Sequence, residues 1–322
     1  MGRDMIRGIL GIDTSNYTTS AALVSDLGEV LADSRMLLSV REGEVGLRQS
    51  DALFLHVRNW PELLKLPRFS GLHIGAVAVA TRPSPIACSY MPVFLAGQAF
   101  AATVATVLGV PLLEFSHQEG HVRAALSARW PLHKPFLAVQ ISGGTTDILF
   151  VAPLAEGGFM ISHLGRSSDL HAGQFIDRVG VHMGLAFPCG VAMDELATTW
   201  ENEGLEPFPI TSSVKASTIS FSGPASMAMR ALDQGVPRGA VALGVFRSIS
   251  NSLEKVLREH QEKAGEVLLC GGVAANTHIR RRLQARLKRF AFILAPPHLA
   301  GDNAVGIALL GADRMQLGRG LC

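Results

Sequence analysis

The sequence predicts an α/β fold of two related lobes with a nucleotide cleft between them, and three observations carry that expectation. A strand, hydroxyl-rich turn, strand, turn, strand pattern runs through residues 8–38 and returns in residues 136–164. Over the rest of the chain strands alternate with helices, the order of an α/β domain. Two glycine turns, Ser142-Gly143-Gly144-Thr145-Thr146 and Cys270-Gly271-Gly272-Val273-Ala274-Ala275-Asn276, stand at strand ends. There, backbone N–H groups and hydroxyls can cradle an anion. Each turn alone would serve equally as a hairpin or a close-packed corner. Together, in a doubled fold, they favour a nucleotide.

The first copy reads as strand, polar turn and strand over 8–24, a turn at Gly28, and a third strand from Glu29 to Leu38. Ser50 to Leu64 has helical apolar spacing, with Asp51 suited to an early turn and Pro61 expected to kink or end the helix. Ile74 to Ala80 is a buried strand, and the two prolines of Thr81-Arg82-Pro83-Ser84-Pro85 mark a loop. The apolar stretch from Phe94 to Leu113 approaches membrane-spanning length, but Gln98, its threonines, Gly97, Gly109 and Pro111 favour a buried helix. Pro111 to Phe115 is then a short strand. The second copy follows, and Ala172 to Gly184 is a helix with Phe175, Val179 and Met183 on one face. Residues 185–224 read as loop-rich. Residues 241–260 form a helix on the stripe Val245, Ile249, Leu253 and Val256. A strand over Glu266–Cys270, a helix bearing Ile279, Leu283 and Leu287, a strand over Phe292–Ala295 and a helix from Asp302 complete the chain. The lobes are expected at 1–125 with 296–322, and at 126–295.

Composition narrows the class. At 322 residues with 48% hydrophobic and 17% charged, the chain has material for a sizeable core. The formal net charge is +2, from 29 basic and 27 acidic residues, so any nucleic-acid contact must come from a local patch. Arg280, Arg281, Arg282, Arg286, Lys288 and Arg289 are a candidate, or else the solvated face of a helix. Cys88, Cys189, Cys270 and Cys322 are scattered, which suits reduced thiols, and the first residues carry no apolar signal core. A cytoplasmic, membrane-free protein is the expectation.

The pentapeptide His117-Gln118-Glu119-Gly120-His121 carries the sharpest chemistry. Histidines four apart share one helix face and can supply two metal ligands, or they can simply be two surface histidines. Zinc peptidases of the His-Glu-x-x-His type place glutamate directly after the first histidine. Here Glu119 lies roughly 200° round the helix from His117, aimed away from such a metal. Asp302 opens the last helix and taken alone reads better as an N-cap, while Asp177 reads equally as an exposed helix residue.

In order along the chain, Gly11-Ile12-Asp13-Thr14-Ser15, the His-x-Glu-Gly-His block, Ile141-Ser-Gly-Gly144, Phe175-Ile-Asp177, Ile219-Ser-Phe-Ser-Gly223, Gly271-Gly-Val-Ala-Ala-Asn276 and Asp302-Asn303 resemble the TsaD family. These are the tRNA adenosine threonylcarbamoyltransferases once described as O-sialoglycoprotein endopeptidases. The resemblance implies an actin/hexokinase/Hsp70-like fold, and one divalent iron or zinc ion held by His117, His121 and Asp302. It implies a substrate loop at Gln140, Ile141, Ser142, Gly143 and Gly144. Asp177, Gly190 and Asp194 then meet the nucleotide sugar, and Asn276 the adenine end. The reaction implied is acyl transfer from threonylcarbamoyl-adenylate to a tRNA adenosine, with AMP leaving. The adenine nucleotides concerned are the adenylate, AMP or ATP, and the partners tRNA, TsaB-like, TsaE-like and TsaC-like proteins, or a second copy.

Four stretches depart from the family pattern. The usual Cys-Asp-Glu-Thr is Asn16-Tyr17-Thr18-Thr19, Thr145 replaces a histidine, Arg82-Pro83-Ser84 replaces Gly-Pro-Gly, and Cys189 replaces a glycine. Two readings follow: a divergent threonylcarbamoyl or carbamoyl transferase, and a non-catalytic nucleotide- and metal-binding scaffold. A metallopeptidase is a distant third.

Overall fold

The computed structural model describes residues 7–15, 17–39, 47–64, 73–86, 88–126, 130, 132 and 134–319. Asn16 and the N-terminal residues read for a signal sequence lie outside that set. Two sheets organise the chain, and contacts divide it into two units: Met1–His133 with Ala152–Ile161 and Gly301–Cys322, and Lys134–Val151 with Ser162–Ala300.

The first sheet holds β1 (Arg7–Thr14), β2 (Thr18–Ser25), β3 (Val30–Leu37), β4 (His73–Arg82) and β5 (Leu112–Ser116), in the order β3-β2-β1-β4-β5. β1 pairs antiparallel with β2 and parallel with β4, so the hairpin lies on one side of β1 and the crossover strands on the other. Every residue of β2 is buried, including Thr18, Thr19 and Ser20, because helices cover both faces. α1 (Gln49–Leu64) and α2 (Phe94–Leu108) pack on one set of strands, while α9 (Val305–Arg319) packs on β1, β2 and β4 and against α3 (His117–Ala125). Gly109, in the left-handed conformation at φ 64°, ends α2 well short of Leu113. Among the described residues no helix is long and apolar enough to cross a membrane.

Pro61 lies inside its helix, which ends three residues later at Leu64, the end the apolar spacing predicts. α1 runs on to Leu64 because Trp60 stacks on Phe100, centroids 4.6 Å apart, and Leu63 is buried. Tertiary packing there outweighs the hydrogen bond that proline cannot donate.

The second sheet repeats the plan. β6 (Phe136–Ile141), β7 (Thr146–Pro153), β8 (Phe159–Ser167), β9 (Ser213–Lys215), β10 (Thr218–Ser220), β11 (Glu266–Cys270) and β12 (Ala291–Leu294) follow the order β12-β11-β6-β7-β8-β10-β9. Here β6 pairs antiparallel with β7 and parallel with β11, as β1 does with β2 and β4. The doubled pattern in the sequence is thus a doubled topology. α7 (Arg238–Glu259) is the central helix of this unit, with Val245, Ile249, Leu253 and Val256 fully buried.

The stretch 185–224 is more ordered than the loop-rich reading expected. It contains α5 (Gly190–Asn202), β9, β10 and the first turn of α6 (Ser222–Asp233). α5 buries only Met193 and Ala197, too narrow a stripe to announce itself by periodicity. α4 (Ala172–His182) and α8 (Thr277–Arg286) complete the unit.

Candidate functional site

In the first unit the site grows from the start of α3. Ser116 caps that helix: its Oγ accepts from Glu119 N (3.2 Å), and Glu119 Oε2 accepts from Ser116 N (2.8 Å). Glu119 Oε1 also accepts from Phe159 N at 3.2 Å. The buried glutamate is spent on the fold, which agrees with its placement away from the histidines and removes it as a peptidase base.

Gly120 and Gly306 set the crossing of α3 on α9. A Cβ at Gly306 would collide with the Gly120 carbonyl, and one at Gly120 would lie 2.8 Å from Ile307 Cδ1. Gly306 is the strict requirement, since backbone faces it, whereas a Cβ at Gly120 would meet only a side chain that can turn aside. That contact brings the turn before α9 to the histidine pair. His121 Nε2 lies 3.0 Å from His117 Nε2 and 3.3 Å from Asp302 Oδ1, and His117 Nε2 lies 3.6 Å from the same oxygen. Asp302 is not the helix cap. Asn303 Oδ1 accepts from Gly306 N, leaving the Asp302 carboxylate for the histidines, with Ser15 Oγ donating to its Oδ2 at 2.6 Å.

A further carboxylate stands behind the pair. Asp13, at the end of β1, accepts from His117 Nδ1 at 2.6 Å and is buried, and its Oδ1 has no hydrogen-bond partner. Burial disfavours the charged imidazole, but Asp13 and then Asp302 overcome it and raise His117 to about 9. Asp302 is held well below the carboxylate range by both histidines and Ser15, against its own burial.

These residues fit a divalent cation. Two imidazole Nε2 atoms and one carboxylate oxygen converge within 4.8 Å. Two Nε2 atoms at 3.0 Å can share only one proton, whereas a cation satisfies both lone pairs and the carboxylate. A donor set of two imidazoles and one carboxylate suits iron or zinc, and a carboxylate on the outer ring nitrogen is the usual second-sphere support.

In the second unit the two glycine turns lie side by side at the C-terminal ends of parallel neighbours, with Gln140 of β6 opposite Cys270 of β11. Gly271, at φ 92°, packs so close to the Ile141 carbonyl that no Cβ fits. Ser142 closes its turn by donating from N to Thr145 O (2.9 Å) and accepts from Gly173 N at the start of α4 (3.0 Å). There is open space beside Gly143 and Gly144, and Gly144 N donates to Ser142 Oγ at 3.2 Å. Asn276 Nδ2 donates to Asp194 Oδ1 (2.6 Å) while its Oδ1 caps α8 by accepting from Ile279 N. Asp177 stands apart from that pair: its Oδ1 accepts from Cys189 N at 2.8 Å, fixing the turn that leads to Gly190. Cys189 itself is buried against Gly180.

The departures also find places. Thr18 is only 4% exposed within β2, and Thr19 Oγ1 bonds His56 Nδ1 (2.9 Å) and accepts from Asn59 Nδ2 (3.0 Å). Burial holds the His56 imidazole below its usual range, against the Ser15 backbone and Asp13. Pro83 O accepts from Gln118 N, so the Arg82-Pro83-Ser84 loop braces α3. The sequence motif Gly11–Ser15 contains Asp13 and Ser15 without giving either a role, and His56 stands in no motif. Only Asp13 left a signal, as the lone carboxylate ending the first strand.

Two of the described thiols are shielded. Burial pushes Cys270 up to about 12, so iodoacetamide is expected to alkylate the exposed Cys88 in native protein and Cys270 only after unfolding. Peptide mapping before and after denaturation checks this.

Comparison with known proteins bears on the same residues. Residues 62–309 match the family model described as TsaD, tRNA N6-adenosine threonylcarbamoyltransferase. A tRNA N6-adenosine threonylcarbamoyltransferase of Thermus thermophilus is 34% identical over 321 residues, covering 96% of this chain and 94% of its own. That of Streptococcus pneumoniae is 32% identical, with 94% and 90% covered. Among solved structures, component A of the Acidaminococcus fermentans (R)-2-hydroxyglutaryl-CoA dehydratase superposes with a TM-score of 0.58 at 16% identity, covering 96% of this chain and 99% of that one. A ROK-family glucokinase from Streptomyces griseus gives 0.53 at 13%, with 94% and 98% covered. At such identities these two speak for the fold alone, an actin/hexokinase-like one.

Proposed function

Since the chain belongs to the tRNA N6-adenosine threonylcarbamoyltransferase family, we propose that it is a metal-dependent member transferring a threonylcarbamoyl or carbamoyl group from an adenylate to a tRNA adenosine. The observation that carries this is the convergence of His117, His121 and Asp302 on one point, with Asp13 behind His117. Those three side chains would hold one iron or zinc ion, which supplies Lewis-acid polarisation of a carbonyl.

The remaining work falls to the chain's own groups. The Gly143 N–H and the Ser142 hydroxyl, which accepts from Gly144 N, would take the adenylate phosphate, and the Asp194–Asn276 pair would take the nucleoside. Asp177 keeps the Cys189–Gly190 turn in place for the ribose. In the transfer the carbonyl carbon bonds to the exocyclic nitrogen, its bond to the phosphate oxygen breaks, and AMP leaves. The amine proton passes to the departing phosphate or to solvent, because Tyr17, Thr18 and Thr145 offer no carboxylate or imidazole for it. We place the protein in the cytoplasm with its tRNA, working with a TsaC-like source of adenylate and with TsaB-like and TsaE-like proteins or a second copy.

Metal analysis together with transfer from threonylcarbamoyl-adenylate to tRNA tests the reading. One equivalent of metal and turnover are expected, both abolished in His117→Ala; metal-free, inactive protein would end it.

The burial of Thr18 favours a second reading, a non-catalytic scaffold that binds nucleotide and metal. On that reading the unaltered chain binds adenylate without turnover, and Tyr17→Asp with Thr18→Glu creates none. Ordinary turnover by the unaltered chain sinks it.

A further inference from the structure

A cluster of arginines in the second unit plays no part in the site above. Arg247 on α7 and Arg281, Arg282 and Arg286 on α8 line a half-open pocket of about 300 Å³. Not all of the basic run belongs to it. Arg280 is committed to the Ala274 carbonyl and Arg289 to Glu262. What the run lacks, α7 supplies: Arg247 is far away in sequence and enters the cluster only through the α7–α8 packing.

The pocket is short of negative charge. Arg282 pairs with no carboxylate among the described residues; its Nε and Nη2 both donate to the Asn251 amide oxygen, at 3.0 and 2.7 Å. Burial and the like charges of Arg247 and Arg286 disfavour its ionised form, with Glu254 opposing them. Arg286 shares Glu254 with Arg258. Arg247 reaches the exposed Glu206 only at 3.6 Å, and Arg281 reaches Glu201 at 3.9 Å. Glu201, the one carboxylate on the wall, is itself drawn to His278 Nδ1 at 3.3 Å. Guanidinium groups gathered around so little compensating charge form a site for an anion, and their planar forks match phosphate oxygens.

The form of the pocket selects the kind of phosphate. A metabolite site is mostly apolar and encloses its ligand. Here Leu243 and Ala285 are the only apolar lining residues, and the Arg247, Arg281 and Arg286 side chains are 39%, 75% and 53% exposed. Solvent-facing arginines with few apolar walls are how proteins hold a nucleic-acid backbone without reading bases.

We propose that Arg247, Arg281, Arg282 and Arg286 form a backbone-phosphate subsite for RNA, positioning the acceptor by charge and not by sequence. This rests on the tRNA-acceptor reading above. His278 ties the subsite to the nucleoside residues, since its Nε2 lies 3.1 Å from Thr198 Oγ1 and 3.9 Å from Asp194 Oδ1.

The test measures binding of fluorescent tRNA to the full chain across a salt series, for the unaltered protein, R247A/R281A and R247K/R281K. The two chosen arginines are the most loosely paired, and equal melting temperatures confirm that the fold survives. In the alanine variant the slope of log affinity against log salt should flatten by about 2, with affinity at 0.1 M salt falling roughly tenfold or more. The lysine variant should keep the slope, and adenylate binding should not change. An alanine variant with the unaltered slope and affinity overturns the subsite while leaving the acceptor reading intact. Calorimetry with inorganic phosphate provides a second arm: heat lost in the alanine variant while tRNA binding is unmoved would also overturn it, in favour of a small phosphorylated ligand. An unaltered chain that binds no tRNA even at low salt removes the acceptor reading and the subsite with it.

Discussion

Gly306→Val is expected to lower stability by about 3 kcal/mol and to abolish metal binding with it. The added side chain would meet the Gly120 carbonyl and, 3.0 Å away, Ala124 N. Both are helix backbone, so neither can turn aside as a flexible side chain would. α3 and α9 must separate instead, and their separation carries His117 and His121 away from Asp302. Overpacking of a close helix crossing is among the few mechanisms with an effect this large. Gly318→Ala provides the control on the same helix, because nothing lies within 4 Å of its Cβ position. Urea unfolding and metal content of both variants decide the matter. A Gly306→Val protein with unaltered stability would show that the crossing does not organise the site.

The second large effect is on pH. Folded His117 is raised to about 9 from an ordinary value of 6.5, chiefly because Asp13 and Asp302 outweigh its burial. In metal-free protein this pair adds stability that is full below about pH 6.5 and is lost as pH rises through about 9. Metal affinity runs the opposite way, because a ligand nitrogen must shed its proton. Apparent affinity should climb roughly tenfold per pH unit up to about 9, placing pH 7 about 100-fold below the plateau. Asp13→Asn should weaken binding at pH 9 by about 10- to 100-fold through loss of the outer carboxylate. At pH 7 its deficit should be smaller, since the competing proton is then held less tightly. Metal competition titrations from pH 6 to 10 read both effects. A pH-independent affinity in the unaltered protein would contradict the raised His117.

Much of this molecule was legible before folding was considered. The doubled strand pattern became two sheets that share one five-strand order, because apolar runs bounded by turn residues are local signals that the sheet only has to accept. The spacing of His117 and His121 placed two imidazoles on one helical turn, since that depends on helix geometry alone. The stripe on α7 was likewise plain, as every member faces one core. α5 was not, because just two of its residues are fully withdrawn from solvent while Leu196 and Trp200 pack on the core only in part. Pro61 left two outcomes open for the end of α1, and Phe100, stacked on Trp60 from forty residues away, helps hold its last turn.

Long-range geometry decided the rest. Asp302 looked like a helix cap in the sequence, and the family pattern alone made it a ligand. The structure shows why it is free, since Asn303 takes over the capping. Asp13 acquires its role only when β1 and α3 are neighbours, across a sequence separation of 104 residues. Arg247 joins the α8 arginines only when two helices pack. The sequence by itself therefore determined the repeat, the helices and strands with strong periodicity, and the placing of His117 and His121 on one helical face, all set by spacing along a chain of known pitch. The tertiary structure alone decided which carboxylates face which histidines and where positive charge goes uncompensated. Both depend on distances through space, and no local pattern encodes those.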